Sequence, residues 1–245
     1  MHIVHKSEFS VASLRQLIER HTVDVINALV DELGWTPLSW AALAGYEDIV
    51  RLLVEKDGIE INAWGGRIGK TSLSWAAMQG HEGIVRLLIG RNGVDINARD
   101  KNGQTPLLEA ADGGHEAIVR LLVERDGIKV HPQDKYGNTP LLCAVMQGSE
   151  AITQLLIERD AIGINARDNM YRRTPLIWAA EGGYEAVARL LVERNNVDIN
   201  ARDRDGQTAL SWAASKGVMI LYGCWLKKMV LKSILRIIMG RHHSL

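Results

Sequence analysis

Residues 65–72, G-G-R-I-G-K-T-S, come closer than any other stretch to a chemical motif. A glycine-rich loop ending in Lys-Thr can cradle phosphate, because clustered backbone N–H groups and a lysine ammonium meet the anion together. The full pattern, G-x-x-x-x-G-K-T, requires glycine at position 64, and that residue is Trp64. Cys143 and Cys224 stand far apart and make neither a disulfide framework nor a metal set, which fits a reducing compartment. His81 and His115 occur singly, and single histidines so spaced do not converge on one ion. No H-E-x-x-H, C-x-x-C or G-x-S-x-G is present. These observations predict a chain that is not an enzyme and that carries no cofactor and no metal site.

The reason these residues look scattered is that most of them belong to a repeat. Thr36, Thr71, Thr105, Thr139, Thr174 and Thr208 open successive copies of one pattern, at steps of 34 or 35 residues. A fixed period in this range is the signature of a stacked repeat architecture. Residues 100–133 are the fullest copy. Thr105 is a good N-cap, Pro106 sits where its missing N–H costs nothing, residues 107–111 make a short helix, and Gly114 supplies a left-handed stop. A second helix over residues 116–125 places Ile118, Val119, Leu121 and Leu122 on one face and Glu116, Arg120 and Glu124 on the other. A short extended piece and a turn at Lys101, Asn102 and Gly103 join the units as projecting hairpins. By the same register Gly69, Lys70 and Thr71 belong to a hairpin, not to a phosphate loop. Trp40, Trp75, Trp178 and Trp212 share one slot beside the paired alanines, which argues for packing.

The T-P-L start, the paired alanines, G-H at the inter-helix turn, V-R-L-L in the second helix and D-x-N-A before the hairpin together resemble ankyrin repeats. The resemblance runs over about residues 11–217. The T-P-L-S-W-A-A variant is similar to arrays common in fungal multidomain proteins. It implies an all-α solenoid of helix-turn-helix units joined by hairpin loops, and a non-catalytic scaffold that binds a protein partner on its concave face and hairpin tips. The expected organisation is a disordered N-terminus at 1–10, an N-terminal half-repeat at 11–30, about six repeats at 31–217, and an atypical basic, hydrophobic segment at 218–245.

Carried over position by position, the resemblance puts Trp35, Ile68, Met78, Tyr136, Met146, Met170, Tyr171 and Arg173 at the partner-binding tips and inner helix ends. Trp, Tyr and Arg are favoured at binding hot spots, which sets Trp35, Tyr136, Tyr171 and Arg173 first. Departures from the repeat also fall in these fingers. One extra residue precedes Thr71 and another precedes Thr174, where the turn glycine is lost in N-M-Y-R-R; in the fourth copy D-I-N-A becomes K-V-H-P.

Apolar content of 47% and charged content of 24% are those of a globular protein. Formal charge is zero overall, but residues 206–245 carry +6 with no acidic residue and residues 1–205 therefore carry −6. The array lacks the basic surplus of a nucleic-acid binder, and no nucleic-acid partner is expected. In the tail Lys228, Lys232 and Arg236 recur every fourth residue, so a helix there would be basic and amphipathic. It could tether the scaffold to a membrane, although the uncharged run at 218–226 is far short of the roughly 20 residues a spanning helix needs. A further alternative is a sensor fragment of a larger signalling protein. With no apolar run after a basic start at the N-terminus, the expected setting is intracellular, cytoplasmic with nuclear access left open, and the expected state is a monomer.

Overall fold

In the computed structural model, residues 11–159, 162–217 and 222–223 are described. The expectations for residues 1–10 and for the basic tail fall outside them, Tyr222 and Gly223 apart. The chain divides into two compact units, Met1–Pro132 and Gln133–Leu245. The first holds α1 (Val11–Arg20), α2 (Val23–Ala28), α3 (Pro37–Ala44), α4 (Glu47–Val54), β1 (Trp64–Gly65), β2 (Lys70–Thr71), α5 (Ser72–Gln79), α6 (Glu82–Ile89), α7 (Pro106–Asp112) and α8 (Glu116–Val123). The second holds α9 (Pro140–Met146), α10 (Glu150–Arg159), a 3₁₀ turn (Ile162–Asn165), α11 (Pro175–Gly182), α12 (Glu185–Val192) and α13 (Ala209–Lys216).

Each first helix starts where local chemistry dictates. The threonine hydroxyl accepts the backbone N–H three residues on at Thr36, Thr71, Thr105, Thr139, Thr174 and Thr208, a cap worth about 1 kcal/mol. Ser39 and Ser211 return a bond to the cap backbone and complete capping boxes. Ala41, Ala42, Ala76, Ala77, Ala110 and Ala111 are fully buried, and their small size lets α3, α5 and α7 pack side by side. Behind them α4, α6 and α8 bury Ile49, Leu53, Ile84, Leu88, Ile118 and Leu122. Burying such a side chain contributes about 1.5–3 kcal/mol. Within the second unit α9, α11 and α13 pack in the same way, with α10 and α12 behind.

The outer faces are solvated as expected. Glu47–Arg51, Glu82–Arg86 and Glu116–Arg120 pair at 2.9, 2.6 and 2.9 Å, all about half exposed, and contribute no more than about 0.5 kcal/mol each. At the N-terminal end of the described residues α1 packs against α4. The repeat register assigns residues 23–35 to a hairpin region, but residues 23–28 form the helix α2 with Ile26 buried. From Arg20 to Thr36 this connection is one or two residues longer than its counterparts.

Two side-chain ladders hold neighbouring repeats together. The asparagine of I-N-A donates to a carbonyl one repeat on and accepts the N–H two residues beyond it: Asn62 bridges Gly93 and Asp95, Asn97 bridges Gly127 and Lys129, and Asn165 bridges Asn196 and Asp198. The residue at the inter-helix turn reaches back instead. His81 Nε2 lies 3.2 Å from the Leu43 carbonyl and His115 Nε2 lies 3.1 Å from the Met78 carbonyl. The two histidines are thus occupied as helix-end partners. The boundary between the units falls at Pro132, inside the K-V-H-P departure.

Candidate partner-binding surface

The hairpin fingers are built around an inward-turned aspartate. Asp100 Oδ1 accepts the N–H groups of Asn102 and Gln104, and Asp134 Oδ1 accepts those of Tyr136 and Asn138, each at 2.7–2.9 Å. This closes the finger by a side chain mimicking backbone. Adjacent fingers are then joined: the Lys101 N–H donates to the Ile68 carbonyl, Asn169 to Tyr136, and Arg204 to Tyr171. Each tip is therefore tied at its base and to its neighbour within its unit.

Of the residues assigned to the partner face, Ile68, Tyr136, Met146, Met170 and Tyr171 are exposed at 39–59%. Trp35 and Met78 are half-buried. Trp35 stacks on Trp75 with ring centroids 4.7 Å apart, lying against Gly66 where a β-carbon would meet its ring at 2.9 Å. Arg173, assigned to the partner face at a tip, is only 7% exposed. Its guanidinium lies 4.7 Å from the Tyr171 ring and 4.8 Å from the rings of Trp178 and Trp212. Nη1 donates to Glu181 at 2.6 Å, and Nε is 3.6 Å from Asp203. Stacking and charge pairing together draw the side chain inward.

Lys70 has the same fate. It directly precedes the N-cap Thr71, as Arg173 precedes Thr174, and its ammonium reaches the next repeat to pair with Asp100 at 2.8 Å and with Glu109. Gln104 Oε1 accepts from it at 3.1 Å. The lysine of the G-G-R-I-G-K-T-S stretch is thus 3% exposed, and the stretch itself is a two-stranded ribbon pairing Trp64 with Thr71 and Gly65 with Lys70. Burial pushes the Glu109 carboxyl above its ordinary value, against the hydrogen bond and charge of Lys70, which lower it. At Asp203 burial acts upward too, but the Trp212 indole, the N–H groups of Gln207 and Asp205, and Arg173 hold the carboxyl below its ordinary value.

The repeated tryptophans serve packing and hairpin closure. Trp75 is 7% exposed and donates to the Gly65 carbonyl; Trp178 and Trp212 donate to Asp168 and Asp203. Sequence reasoning missed Trp64, which at 64% is the most exposed large apolar side chain among the described residues. The signal was available: N-A-R at 97–99, 165–167 and 200–202 becomes N-A-W at 62–64, an indole in a polar slot.

The family described as ankyrin repeats (3 copies) matches residues 73–168 and 160–223, and that described as ankyrin repeats (many copies) matches residues 38–89. The chain belongs to the ankyrin repeat family. A solved structure agrees with the ankyrin fold: the crystal structure of the ankyrin repeat domain of Bcl-3, titled a unique member of the IkappaB protein family, is similar with a TM-score of 0.68 and 29% identity. The likeness covers 80% of this chain and 87% of that one. No relative among the curated proteins matches. Ankyrin repeats are in general protein–protein interaction modules.

Proposed function

We propose that this ankyrin array is a non-catalytic recognition module that holds a protein partner against its hairpin tips and the adjoining ends of its first helices. The observation that carries this reading is the placement of large apolar side chains in water at tips that are otherwise locked. Ile68 stands so in the first unit, with Trp64 exposed at the base of the same ribbon, and Tyr136, Met170 and Tyr171 stand so in the second. An aromatic ring held out from a hydrogen-bonded finger loses little freedom when a partner covers it, which favours binding. Ankyrin repeat proteins are typically interaction scaffolds without chemistry of their own, and the ionisable clusters of this chain serve to pair repeats.

Site-specific photo-cross-linking tests the assignment. A photoreactive residue replaces Ile68 or Tyr136 in one set of proteins and the exposed Glu124, just beyond α8, in another. The expected outcome is a protein adduct formed from the tip positions and absent from Glu124. Adducts to the same partner from Glu124, with none from either tip, would sink the assignment to the tips.

A further inference from the structure

We infer that the tip edge of the second unit takes an extended acidic segment carrying at least one apolar side chain. The inference rests on the reading of the tips as partner-binding and adds the chemistry of the partner. Its starting point is a charge imbalance invisible in the sequence. The three fingers read D-K-Y-G-N, D-N-M-Y-R-R and D-R-D-G-Q, where four acidic residues balance four basic ones. In the structure Asp134, Asp168 and Asp203 are only 5–7% exposed, their carboxylates turned inward onto hairpin N–H groups and, at Asp168 and Asp203, onto the tryptophan indoles. Lys135, Arg172 and Arg204 remain exposed, against the single exposed carboxylate of Asp205. The edge that water sees is cationic.

The cations are interleaved with Tyr136, Met170 and Tyr171, all exposed. The Lys135 ammonium lies 5.0 Å over the Tyr136 ring, and Tyr171 is held edge-on to Trp178 at 5.9 Å. The bonds from Asn169 to the Tyr136 carbonyl and from Arg204 to the Tyr171 carbonyl, both 2.8 Å, make the three tips one connected edge. Arg172 is the third cation of this edge. It takes φ 56°, the left-handed conformation that glycine fills in the other fingers, so a cation stands where the backbone favours no side chain at all.

Such an edge complements carboxylates flanking an apolar anchor. Nucleic acid fits less well. Beyond the tips the exposed Glu150, Glu158, Glu185 and Glu193 of this unit alternate with exposed Arg159 and Arg189, so a long polyanion would find no continuous basic track to follow. A short acidic segment confined to the edge needs none.

The test selects a random-peptide phage library against the immobilised full chain and measures the leading peptide by fluorescence anisotropy. Selected peptides are expected to be acidic with an apolar residue. The combined Lys135→Glu, Arg172→Glu and Arg204→Glu protein, with unchanged circular dichroism, is expected to bind the lead at least about tenfold more weakly. Added salt is expected to weaken binding to the native chain. Neutral or basic selected peptides, no enrichment at all, or an acidic lead indifferent to the charge reversals would overturn the inference. So would a single-stranded RNA oligonucleotide that displaces the lead and binds more tightly. Neutral peptides lost to a Tyr136→Ala, Tyr171→Ala protein would leave the tip reading standing without its charge preference, whereas selected peptides indifferent to both sets of changes would remove both.

Discussion

Lys70 places one ammonium between two carboxylates, Asp100 and Glu109, with all three side chains at most 5% exposed. Removing one partner of a buried ion pair costs about 3–5 kcal/mol, because the group left behind keeps its desolvation penalty. Lys70→Met strands two carboxylates and is expected to lie in that range by urea unfolding. Glu109→Gln instead leaves a one-to-one Lys70–Asp100 pair and is expected to cost less than about 1 kcal/mol near neutral pH. The pH dependence gives a sharper check. The folded Glu109 carboxyl titrates above its unfolded value, with burial the largest cause, so the folded state holds the proton longer. Its contribution to stability is greatest below the unfolded value and is lost as pH rises through the raised folded value. The stability of the native chain relative to Glu109→Gln should therefore fall with rising pH across that window; a flat or rising difference would refute the burial argument. These residues also mark how far sequence reading goes at this scale. The period gave the slots of Lys70 and Arg173 directly before the N-cap threonines, but not which side of the finger they face. For Lys70 that is decided by Glu109, about a repeat away, whose slot holds tryptophan in four other copies, and for Arg173 by Glu181 of its own repeat together with Asp203 and Trp212 of the next.

At the scale of elements, helix starts were legible because they are local, each Thr and the residues after it specifying the cap. The connection containing α2 was not, since a longer link can extend a hairpin or wind into a helix with equal local sense. The inter-helix turns combine a local requirement with a distant one. Gly80 and Gly114 both have positive φ, 79° and 71°. A β-carbon on Gly114 meets nothing within 4 Å, whereas one on Gly80 would lie 2.6 Å from the His115 ring of the next repeat. Gly114→Ala therefore pays the left-handed strain alone, about 1 kcal/mol. Gly80→Ala also forces the imidazole off the Met78 carbonyl, adding roughly 1 kcal/mol or more. The difference in thermal unfolding between the two proteins measures the ladder contact. If it vanishes, or survives when His115→Ala is added to both, the histidine is not what makes the turn demand glycine.

For the molecule as a whole, the fold was legible because nearly every stabilising contact is made within a repeat or with the next one. The asparagine bridges, the histidine bonds and the Lys70 cluster all span about one period. Stability in such an array is approximately a sum of repeat and nearest-neighbour terms, so a local defect need not be felt everywhere equally. The two units meet their chain boundary at Pro132, in the copy where His131 and Pro132 replace the Asn-Ala of the ladder motif. Lys70→Met breaks a contact between the second and third repeats. Native-state hydrogen exchange should then quicken most in α5 and α7, less in α3, and least in α12 and α13, because local openings report the nearest cooperative block. If protection in α12 and α13 falls by as much as in α5, the chain opens as one cooperative body and the nearest-neighbour description fails. A graded loss instead sets the range over which an occupied tip can stabilise its neighbours.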